Sequence, residues 1–262
     1  MTGNDRKRLV LQERDRHLLR ELAVMRVIDR EQAKCVGGFG STTRANTRLL
    51  ALTRAGLLRR FFIGTKAGGK KALYTLTGEG AGLGGGTQPG LRRKSDEVLV
   101  ADLFVTHQLY INQIYSLVKY QPIPFAETRF LRWVSFREPI EGSALVPDGY
   151  FEIAQHEKVL AAFLEVDLGT ESRSVWRSKV LEYARYALGG NAASQFGSSQ
   201  FRVLAITNSE QRLASLRTTT AEVTEKVFWF ATFDAIDRDG FWTAIWQRPS
   251  GDARRALIEP IP

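Results

Sequence analysis

The chain has 262 residues, of which 44% are hydrophobic and 25% charged, and this composition is typical of globular proteins. It contains no apolar run of the ~20 residues that span a bilayer and no apolar signal core after Met1, so we expect a cytoplasmic protein without membrane contact. The single cysteine, Cys35, excludes an internal disulfide and a thiolate zinc site, and three histidines argue against a histidine-based one.

Positive charge is concentrated in the first third of the chain. Residues 1–95 hold 20 Lys and Arg against 7 Asp and Glu, a net charge of +13, whereas residues 96–262 hold 17 against 21, a net charge of −4. Between Gln32 and Gly78 there are nine basic residues and no acidic one. Such a field costs stability through self-repulsion, so the segment is expected to face a polyanion, with a solvated charged face as the ordinary alternative.

Three helices are predicted at the start of the chain. Apolar residues at helical spacing indicate the first helix over residues 14–27. Asp29, with Gln32 three residues later, is a capping-box pattern for a second helix that ends at the Gly37–Gly38 pair. Ser41 or Thr42 then caps a third helix that runs to about residue 55 and buries the face formed by Ala45, Leu49 and Leu52.

The outer face of the third helix is polar and basic near its N-terminus, as in a recognition helix that enters the DNA major groove. Arginine can bond a guanine edge with two hydrogen bonds, while Asn and Thr can reach bases or phosphates. For three helices alone, a solvated face is an equal alternative. The candidate DNA contacts are Thr43, Arg44, Asn46, Thr47 and Arg48.

A β-hairpin is predicted after the third helix. Residues 57–63 and 72–76 have the composition of strands, and the tip between them is rich in glycine and carries Lys66, Lys70 and Lys71. Lysines on such a tip can neutralise phosphates but read base sequence poorly. Three helices and a hairpin together predict that residues 9–77 are a winged helix-turn-helix domain that binds double-stranded DNA.

The remaining chain is predicted to be a linker, a second domain and a tail. Residues 78–94 contain seven glycines and should form a flexible basic linker. Residues 95–248 should form an α/β domain with a mixed sheet, so the whole chain is α+β. The predicted elements are a long helix capped by Ser95, strands over 130–136, 150–154 and 159–167, a helix over 172–188, a strand over 201–207, a helix over 210–226, and strands over 227–232 and 241–246.

The end of the chain leaves the oligomeric state open. Residues 249–262 are predicted to be a tail. The aromatic residues Phe241, Trp242 and Trp246 lie just before it and are candidates for an interface in a homodimer.

Three acidic residues stand at predicted strand ends: Asp148, Glu165 and Asp167. Period-two alternation places Glu165 and Asp167 on one face of their strand, and a hairpin would bring Asp148 close to Glu165. Converging carboxylates repel unless a cation lies between them, and hard oxygen ligands suit Mg²⁺ or Mn²⁺, which can activate water for phosphodiester cleavage. The ordinary alternative is that they are solvated strand ends, with Asp167 only making a turn before Gly169.

The pattern of Asp148, Glu165-x-Asp167 and a following helix with Lys179 and Tyr183 resembles the PD-(D/E)xK nuclease, or restriction-endonuclease-like, fold. The core of that fold is a helix, three strands, a helix and a strand. Its usual signature has a lysine where Asp167 stands, although some members carry the lysine on the following helix, as Lys179 would be here.

The resemblance implies a role for each residue. Asp148 and Glu165 would be the metal ligands, and Lys179 would stabilise the developing phosphorane charge or position water. Asp167 and Glu171 would add a ligand or hold Lys179 in a salt bridge. Tyr183 would lie one turn beyond Lys179 on the same helix face, as an accessory residue.

A second resemblance covers residues 9 to about 232. Five motifs together resemble the replication-relaxation proteins, bacterial proteins encoded on plasmids and other mobile elements. The motifs are Leu11-x-x-Arg14-Asp15-x-x-Leu18-Leu19, Tyr74-x-Leu76-Thr77-x-x-Gly80, His107-x-Leu109, Pro147-Asp148-Gly149-Tyr150-Phe151 and Phe163-Leu164-Glu165-Val166-Asp167-x-Gly169-Thr170-Glu171-Ser172. The resemblance implies DNA binding in the replication or maintenance of a mobile element.

Two functions stay open at this point. In the first, the winged helix delivers a Mg²⁺- or Mn²⁺-dependent DNA endonuclease or nickase. In the second, the protein is a non-catalytic transcriptional or replication regulator that needs no metal, and its nuclease-like domain serves dimerisation or partner binding. The second is motivated by Asp167, which stands where the resemblance leads one to expect a lysine.

Overall fold

A computed structural model describes residues 9–64, 68–85, 98–198 and 200–258, with the backbone alone for residues 98–102. The chain divides into two compact units, an N-terminal unit (Met1–Ser116) and a C-terminal unit (Leu117–Pro262). Each combines helices with one β-sheet, so the architecture is α+β, as predicted. None of the described helices has both the length and the apolarity needed to cross a bilayer.

The N-terminal unit begins with three helices and a hairpin. Its elements are α1 (Glu13–Met25), β1 (Ile28–Asp29), α2 (Arg30–Val36), α3 (Thr42–Arg54), β2 (Leu58–Gly64), β3 (Lys70–Leu76), α4 (Gly78–Leu83) and the part of α5 (Val98–Tyr120) up to Ser116. The strands form an antiparallel sheet in the order β1-β3-β2. The predicted first helix ends two residues early, because Arg26 takes a positive φ of 66° and the short strand β1 begins at Ile28.

Side-chain caps explain where α2 and α3 begin. The Asp29 carboxylate accepts a hydrogen bond from the Gln32 backbone N–H at 2.8 Å, and the Gln32 side chain accepts from the Asp29 N–H in return. This confirms the predicted capping box. Ser41 caps α3 by accepting from the Arg44 N–H at 3.2 Å. The predicted inner face of α3 is fully buried.

Helix α5 completes the N-terminal unit. Val105 packs with Val27 and Leu73 in a small apolar cluster. The Asn112 side-chain amide donates to the carbonyl oxygens of Met25 at 3.0 Å and Val27 at 2.6 Å. These carbonyls lie at the end of α1 and just after it, where a buried acceptor without a partner would be costly, so α5 stabilises the turn between α1 and β1.

The prediction of a flexible linker from residue 78 is wrong for its first part, because residues 78–83 form α4. The Thr77 hydroxyl caps this helix by accepting from the Gly80 N–H at 3.0 Å. Gly80 is buried so closely against Leu57 that a Cβ there would lie 2.0 Å from the Leu57 carbonyl oxygen. The glycines therefore allow close packing here. Residues 86–94 and the predicted cap Ser95 lie outside the described residues.

The C-terminal unit is built on a seven-stranded mixed sheet in the order β10-β9-β8-β7-β6-β5-β4. Strands β6, β7 and β8 are parallel, and the other neighbours are antiparallel. After the end of α5, its elements are β4 (Thr128–Val134), β5 (Gly149–Gln155), β6 (Lys158–Asp167), α6 (Arg173–Leu188), α7 (Asn191–Phe196), β7 (Arg202–Thr207), α8 (Glu210–Ala221), β8 (Phe228–Thr232), α9 (Phe233–Asp239), β9 (Trp246–Gln247) and β10 (Arg254–Arg255).

Helices α6 and α8 cover one face of this sheet. Residues Ala161 and Phe163 of β6 pack there against Val180 and Tyr183 of α6 in the main apolar cluster. Strand alternation therefore turns Glu165 and Asp167 towards the same two helices, as the sequence predicted. The parallel order of β6, β7 and β8 places their C-terminal ends together at one edge, where Glu165 pairs with Ala205.

Several predicted elements near the C-terminus are wrong. Helix α8 ends at Ala221 instead of residue 226, and residues 233–239 form the unpredicted α9. Residues 241–246 are mostly turns and do not form the predicted strand. The Phe241 ring packs edge-on against Trp242 and Trp246, so all three side chains are buried and do not form an exposed interface. Residues 249–258 are no tail, since they add β10 to the sheet and bury Leu257 and Ile258.

Candidate functional site

The exposed face of α3 carries the first candidate site. Thr43, Arg44 and Thr47 are exposed, and Asn46 is half-buried. The Ser41 cap satisfies the Arg44 backbone N–H, so the side chains of the first two turns project from a well-formed helix end. Neutral donors and acceptors therefore flank one guanidinium group at the N-terminal end of α3.

Arg48 does not join this face, although it follows Arg44 by one helical turn. Its Nε atom donates to Asp15 Oδ1 at 2.7 Å, and its Nη2 atom donates to Asp15 Oδ2 and to the Val10 carbonyl. Asp15 is fully buried, and the Arg48 side chain is only 20% exposed. Arg48 is therefore held in an ion pair inside the N-terminal unit, and its role as a DNA contact stays a prediction.

The hairpin offers a second group of cations. Lys70 and Lys71 are both exposed, but Lys71 Nζ lies 3.0 Å from Asp29 Oδ2 and is partly neutralised. Lys66 lies outside the described residues. The sequence reasoning missed Arg60 and Phe62, which share one face of β2, are exposed and stack with 5.3 Å between the guanidinium carbon and the ring centroid. The spacing of Arg60 and Phe62, two residues apart within Leu58–Gly64, was the sequence signal that both lie on one face of a strand.

In the C-terminal unit, Asp148 lies against the end of β6. Its backbone N–H donates to the Leu164 carbonyl at 3.0 Å, and its Oδ2 atom accepts from the Val166 N–H at 2.7 Å. The next residue, Gly149, allows the Trp133 ring of β4 to pack against the start of β5, because a Cβ there would lie 2.4 Å from that ring. Asp148 therefore lies beside Glu165, because it bonds the backbone of the residues directly before and after Glu165 in β6.

Glu165 is the centre of the second candidate site. Its carboxylate is almost completely buried, with Oε2 accepting from Lys179 Nζ at 2.8 Å and Oε1 from the Tyr183 hydroxyl at 2.5 Å. Lys179 and Tyr183 are one turn apart on α6, so both reach the same strand end. The structure thus brings four of the predicted residues together: Asp148, Glu165, Lys179 and Tyr183.

Glu171 holds Lys179 from the other side. Lys179 Nζ donates to Glu171 Oε1 at 2.9 Å. The second oxygen of this carboxylate, Oε2, is buried and has no hydrogen-bond partner among the described residues, and the same holds for the Thr207 hydroxyl at the adjoining end of β7. Buried polar atoms normally have partners, so a bound water or ligand group is the expected partner of these two atoms.

Asp167 binds an arginine in place of the predicted lysine. Its Oδ1 atom accepts from Arg212 Nε at 3.2 Å and from the Gly169 N–H at 2.6 Å, and Arg212 Nη2 bonds both Asp167 Oδ2 and the Glu171 carbonyl, the latter at 2.8 Å. Asp167 and Arg212 therefore fix the loop that carries Glu171. Asp167 thus places this loop, and Lys179 is bound by Glu165 and Glu171 instead.

The electrostatics of the site follow from burial and from three close charges. Burial raises the pKa of Glu165 to about 7, since it outweighs the attraction of Lys179, and the neighbouring Asp148 raises it further. Burial would lower the pKa of Lys179, but Glu165 and Glu171 outweigh it and raise the pKa above its ordinary value. Burial, followed by Glu165, also raises the pKa of Tyr183. Lys179 therefore stays charged while Glu165 titrates near neutral pH.

The predicted metal ligands, Asp148 and Glu165, are carboxylates, and carboxylate oxygens are the ligands that a hard divalent cation prefers. Among the described residues, no group of three or more His, Cys, Asp or Glu side chains is placed to hold a metal. Mg²⁺, however, is commonly held by one or two carboxylates, with waters and phosphate oxygens completing its shell. Asp148 and Glu165 supply such a pair, and the unsatisfied Glu171 Oε2 gives an acceptor for a water beside them.

A comparison with family models finds one match, to the model described as replication-relaxation, over residues 19–198. The matched segment includes the exposed face of α3, the hairpin and the Glu165 cluster. No curated protein and no solved structure matches the chain significantly.

Proposed function

The chain belongs to the replication-relaxation family, and from this premise we propose that it binds double-stranded DNA of a plasmid or another mobile element through a winged helix formed by its N-terminal unit. The family points to replication of such elements. In this proposal α3 is the recognition helix and the β2–β3 hairpin is the wing.

The exposed N-terminal end of α3 carries this proposal. Arg44 and Thr47 are exposed on a capped helix, and no acidic residue occurs between Gln32 and Gly78 to compete with phosphates for their hydrogen bonds. Arg44 would bond a base edge, because a guanidinium can make two parallel hydrogen bonds to guanine. Lys70 and the Arg60–Phe62 pair of β2 would contact the backbone beside it.

The test is a DNA-binding measurement on the full chain. A preferred duplex is first selected from a random library, and its affinity is then measured for the wild type and for Arg44→Ala. We expect the substitution to cost about 1–3 kcal/mol and to relax preference at one base position. Arg20→Ala is the matched control, since Arg20 is an exposed arginine of α1 that pairs with Glu13. Equal affinities for all three proteins would refute the proposal.

A second candidate function is metal-dependent cleavage of DNA by the C-terminal unit. The observation that favours it is the convergence of Asp148, Glu165 and Lys179 at one strand end, with the buried and unsatisfied Glu171 Oε2 beside them. A purely structural salt bridge has no need of the second carboxylate, Asp148, which raises the cost of ionising Glu165. In the PD-(D/E)xK nuclease fold these are the positions of two metal ligands and a lysine.

Each residue would then have a distinct role in hydrolysis. When bound, a divalent cation polarises the phosphate and lowers the pKa of water, and Asp148 and Glu165 would hold it. The Lys179 ammonium would donate to a non-bridging phosphate oxygen as negative charge develops there. Tyr183 orients Glu165, and Glu171 orients Lys179, through the hydrogen bonds already formed. Attack of water on phosphorus would break one P–O bond to the sugar.

The cleavage test uses supercoiled plasmid with Mg²⁺ or Mn²⁺. Nicking by the wild type that is lost in Glu165→Ala, and kept in Glu157→Ala, would support catalysis, because Glu157 is an exposed carboxylate in the turn between β5 and β6. Plasmid that stays intact but is shifted on a gel would refute catalysis. It would leave a non-catalytic DNA-binding regulator, in which the C-terminal unit serves dimerisation or partner contact.

A further inference from the structure

A cluster of arginines surrounds Trp229 in the C-terminal unit, away from the Glu165 site of the same unit. The guanidinium carbon of Arg202 lies 4.5 Å from the centroid of the Trp229 ring, and that of Arg248 lies 4.9 Å from it. Arg254 and Arg255 form the edge strand β10 and are exposed, and Arg255 is close enough to Arg248 to act on its charge.

The arginines are anchored mainly by backbone carbonyls, which leave their positive charge in place. Arg248 Nη2 donates to the Glu225 carbonyl at 2.7 Å, and Arg217 Nε donates from α8 to the Arg248 carbonyl at 2.8 Å. Within the described part of the chain, none of Arg217, Arg248, Arg254 and Arg255 belongs to an ion pair. Burial and then the charge of Arg255 lower the pKa of Arg248 below its ordinary value.

The acidic groups around the cluster are few and mostly engaged elsewhere. Glu225 acts on Arg248, but its carboxylate accepts a hydrogen bond from the Ser250 hydroxyl at 2.8 Å. Asp239 feels the charge of Arg254 but is paired with Arg238. Asp252 is exposed in the turn before β10. The surface therefore keeps a net positive charge within a unit whose sequence is nearly neutral, with 17 Lys and Arg against 18 Asp and Glu.

Trp229 and Arg202 lie on the opposite face of the sheet from the carboxylates, whereas Arg217 reaches the Arg248 carbonyl from α8. Phe228 and Phe230 belong to the main apolar cluster beneath α6 and α8, so Trp229, which lies between them in β8, faces the other side of the sheet. Arg202 likewise faces the other side, because the next residue, Val203, belongs to that same apolar cluster. Arg202 is the first residue of β7, whereas Asp167 pairs with Thr207 at the end of β7. Five residues of strand, ~17 Å, separate the two ends.

We propose that this arginine cluster is a second DNA-contact surface, which binds the phosphodiester backbone without reading base sequence. It rests on the proposal that the protein acts on DNA, and it adds a contact in the C-terminal unit. A guanidinium can bond two phosphate oxygens at once, and arginines held by carbonyls and by an indole lose little side-chain freedom on binding. Close like charges destabilise the fold, and a bound polyanion offsets their repulsion.

The experiment measures the salt dependence of duplex binding by the full chain. Arg254→Gln together with Arg255→Gln should make the negative slope of log affinity against log salt shallower by about 2, since each lost phosphate contact removes about 0.9 from its magnitude. Arg254→Glu together with Arg255→Glu, which reverses both charges, should make the slope shallower still. The matched control is Arg129→Gln with Lys158→Gln, which removes two exposed charges, one on the edge strand β4 and one at the start of β6.

The outcomes separate this proposal from DNA binding by α3. If Arg44→Ala weakens binding while the Arg254/Arg255 variant keeps the slope of its control, the second surface is refuted and the first proposal stands. If the Arg254/Arg255 variant alone lowers the slope, the second surface stands and the role of α3 fails. Thermal unfolding by circular dichroism checks that each variant is folded, and the Gln pair decides the question if the Glu pair does not fold.

Discussion

Arg48 and Asp15 form a two-pronged ion pair between α3 and α1, with the carboxylate fully buried. The same carboxylate accepts from the Gln12 N–H at 2.7 Å, which places it at the cap of α1. One acidic side chain thus fixes the start of α1 and the middle of α3. Arg48 therefore supports the helix that presents Arg44, and the two arginines have separable roles.

The first prediction separates the stability of the N-terminal unit from DNA binding. Arg48→Ala leaves a buried carboxylate without its cation, so it should lower the local free energy of unfolding by about 3 kcal/mol. Arg44→Ala should change it by less than about 0.5 kcal/mol. Hydrogen exchange in peptides from α1 and α3 measures both values. Wild-type protection in Arg48→Ala would show that the ion pair does not stabilise the unit.

The second prediction distinguishes the two hairpin lysines. Lys70→Gln should lower the salt slope of DNA binding by about 0.9, as expected for one phosphate contact. Lys71→Gln should lower it less, because Asp29 already neutralises part of the Lys71 charge. Both variants should keep the base preference of the wild type. Equal changes in slope would mean that Lys71 leaves Asp29 when DNA binds.

The third prediction concerns pH and Glu165. Its pKa of about 7 in the folded protein lies above the ordinary 4.5, so between these values the unfolded chain ionises first and binds fewer protons. The Glu165 contribution to stability is therefore full below about pH 4.5 and is lost as the pH rises through 7, in total about 3 kcal/mol. Glu165→Gln removes this dependence.

All five tryptophans lie in the C-terminal unit, so urea unfolding followed by tryptophan fluorescence reports on this unit alone. The stability of the wild type relative to Glu165→Gln should fall between pH 5 and pH 8. Glu157→Gln is the control, because an exposed carboxylate in a turn should show no such trend. A constant difference between wild type and Glu165→Gln would contradict the raised pKa.

The fourth prediction tests why α4 is rich in glycine. Gly80→Ala places a methyl group 2.0 Å from the Leu57 carbonyl oxygen, so the backbone must move, at a cost of about 2 kcal/mol. Gly82→Ala meets nothing within 4 Å and should stabilise the helix by about 0.5–1 kcal/mol. Thermal unfolding and hydrogen exchange of α4 measure the difference. Equal effects would indicate that α4 detaches from Leu57 in solution.

Local sequence patterns predicted those parts of the fold that depend on neighbours in the chain. The capping box at Asp29 and the cap at Ser41 each involve residues three apart, and both are confirmed. The glycine content of residues 78–83 was misleading, because composition reports the freedom of an isolated chain. The packing of Gly80 against Leu57 joins two segments that no local pattern connects.

The site depends on longer-range contacts, which limited its prediction. Strand alternation placed Glu165 and Asp167 on one face correctly, but the partner of Asp167, Arg212, is 45 residues away. The partner of Arg48 was missed for the same reason, since its spacing from Arg44 predicts a helix face and does not reveal Asp15, 33 residues earlier. Periodicity predicts the direction of a side chain, while its partner depends on the tertiary fold.

The docking of α5 onto the turn after α1 sets the smallest piece of this protein that can be expected to fold by itself. A truncation after the hairpin, at residue 77, would remove the Asn112 amide from the Met25 and Val27 carbonyls and would expose Leu73. Such a fragment would keep every proposed DNA contact of α3 but would lose part of its own core. An autonomous fragment therefore has to extend to Ser116.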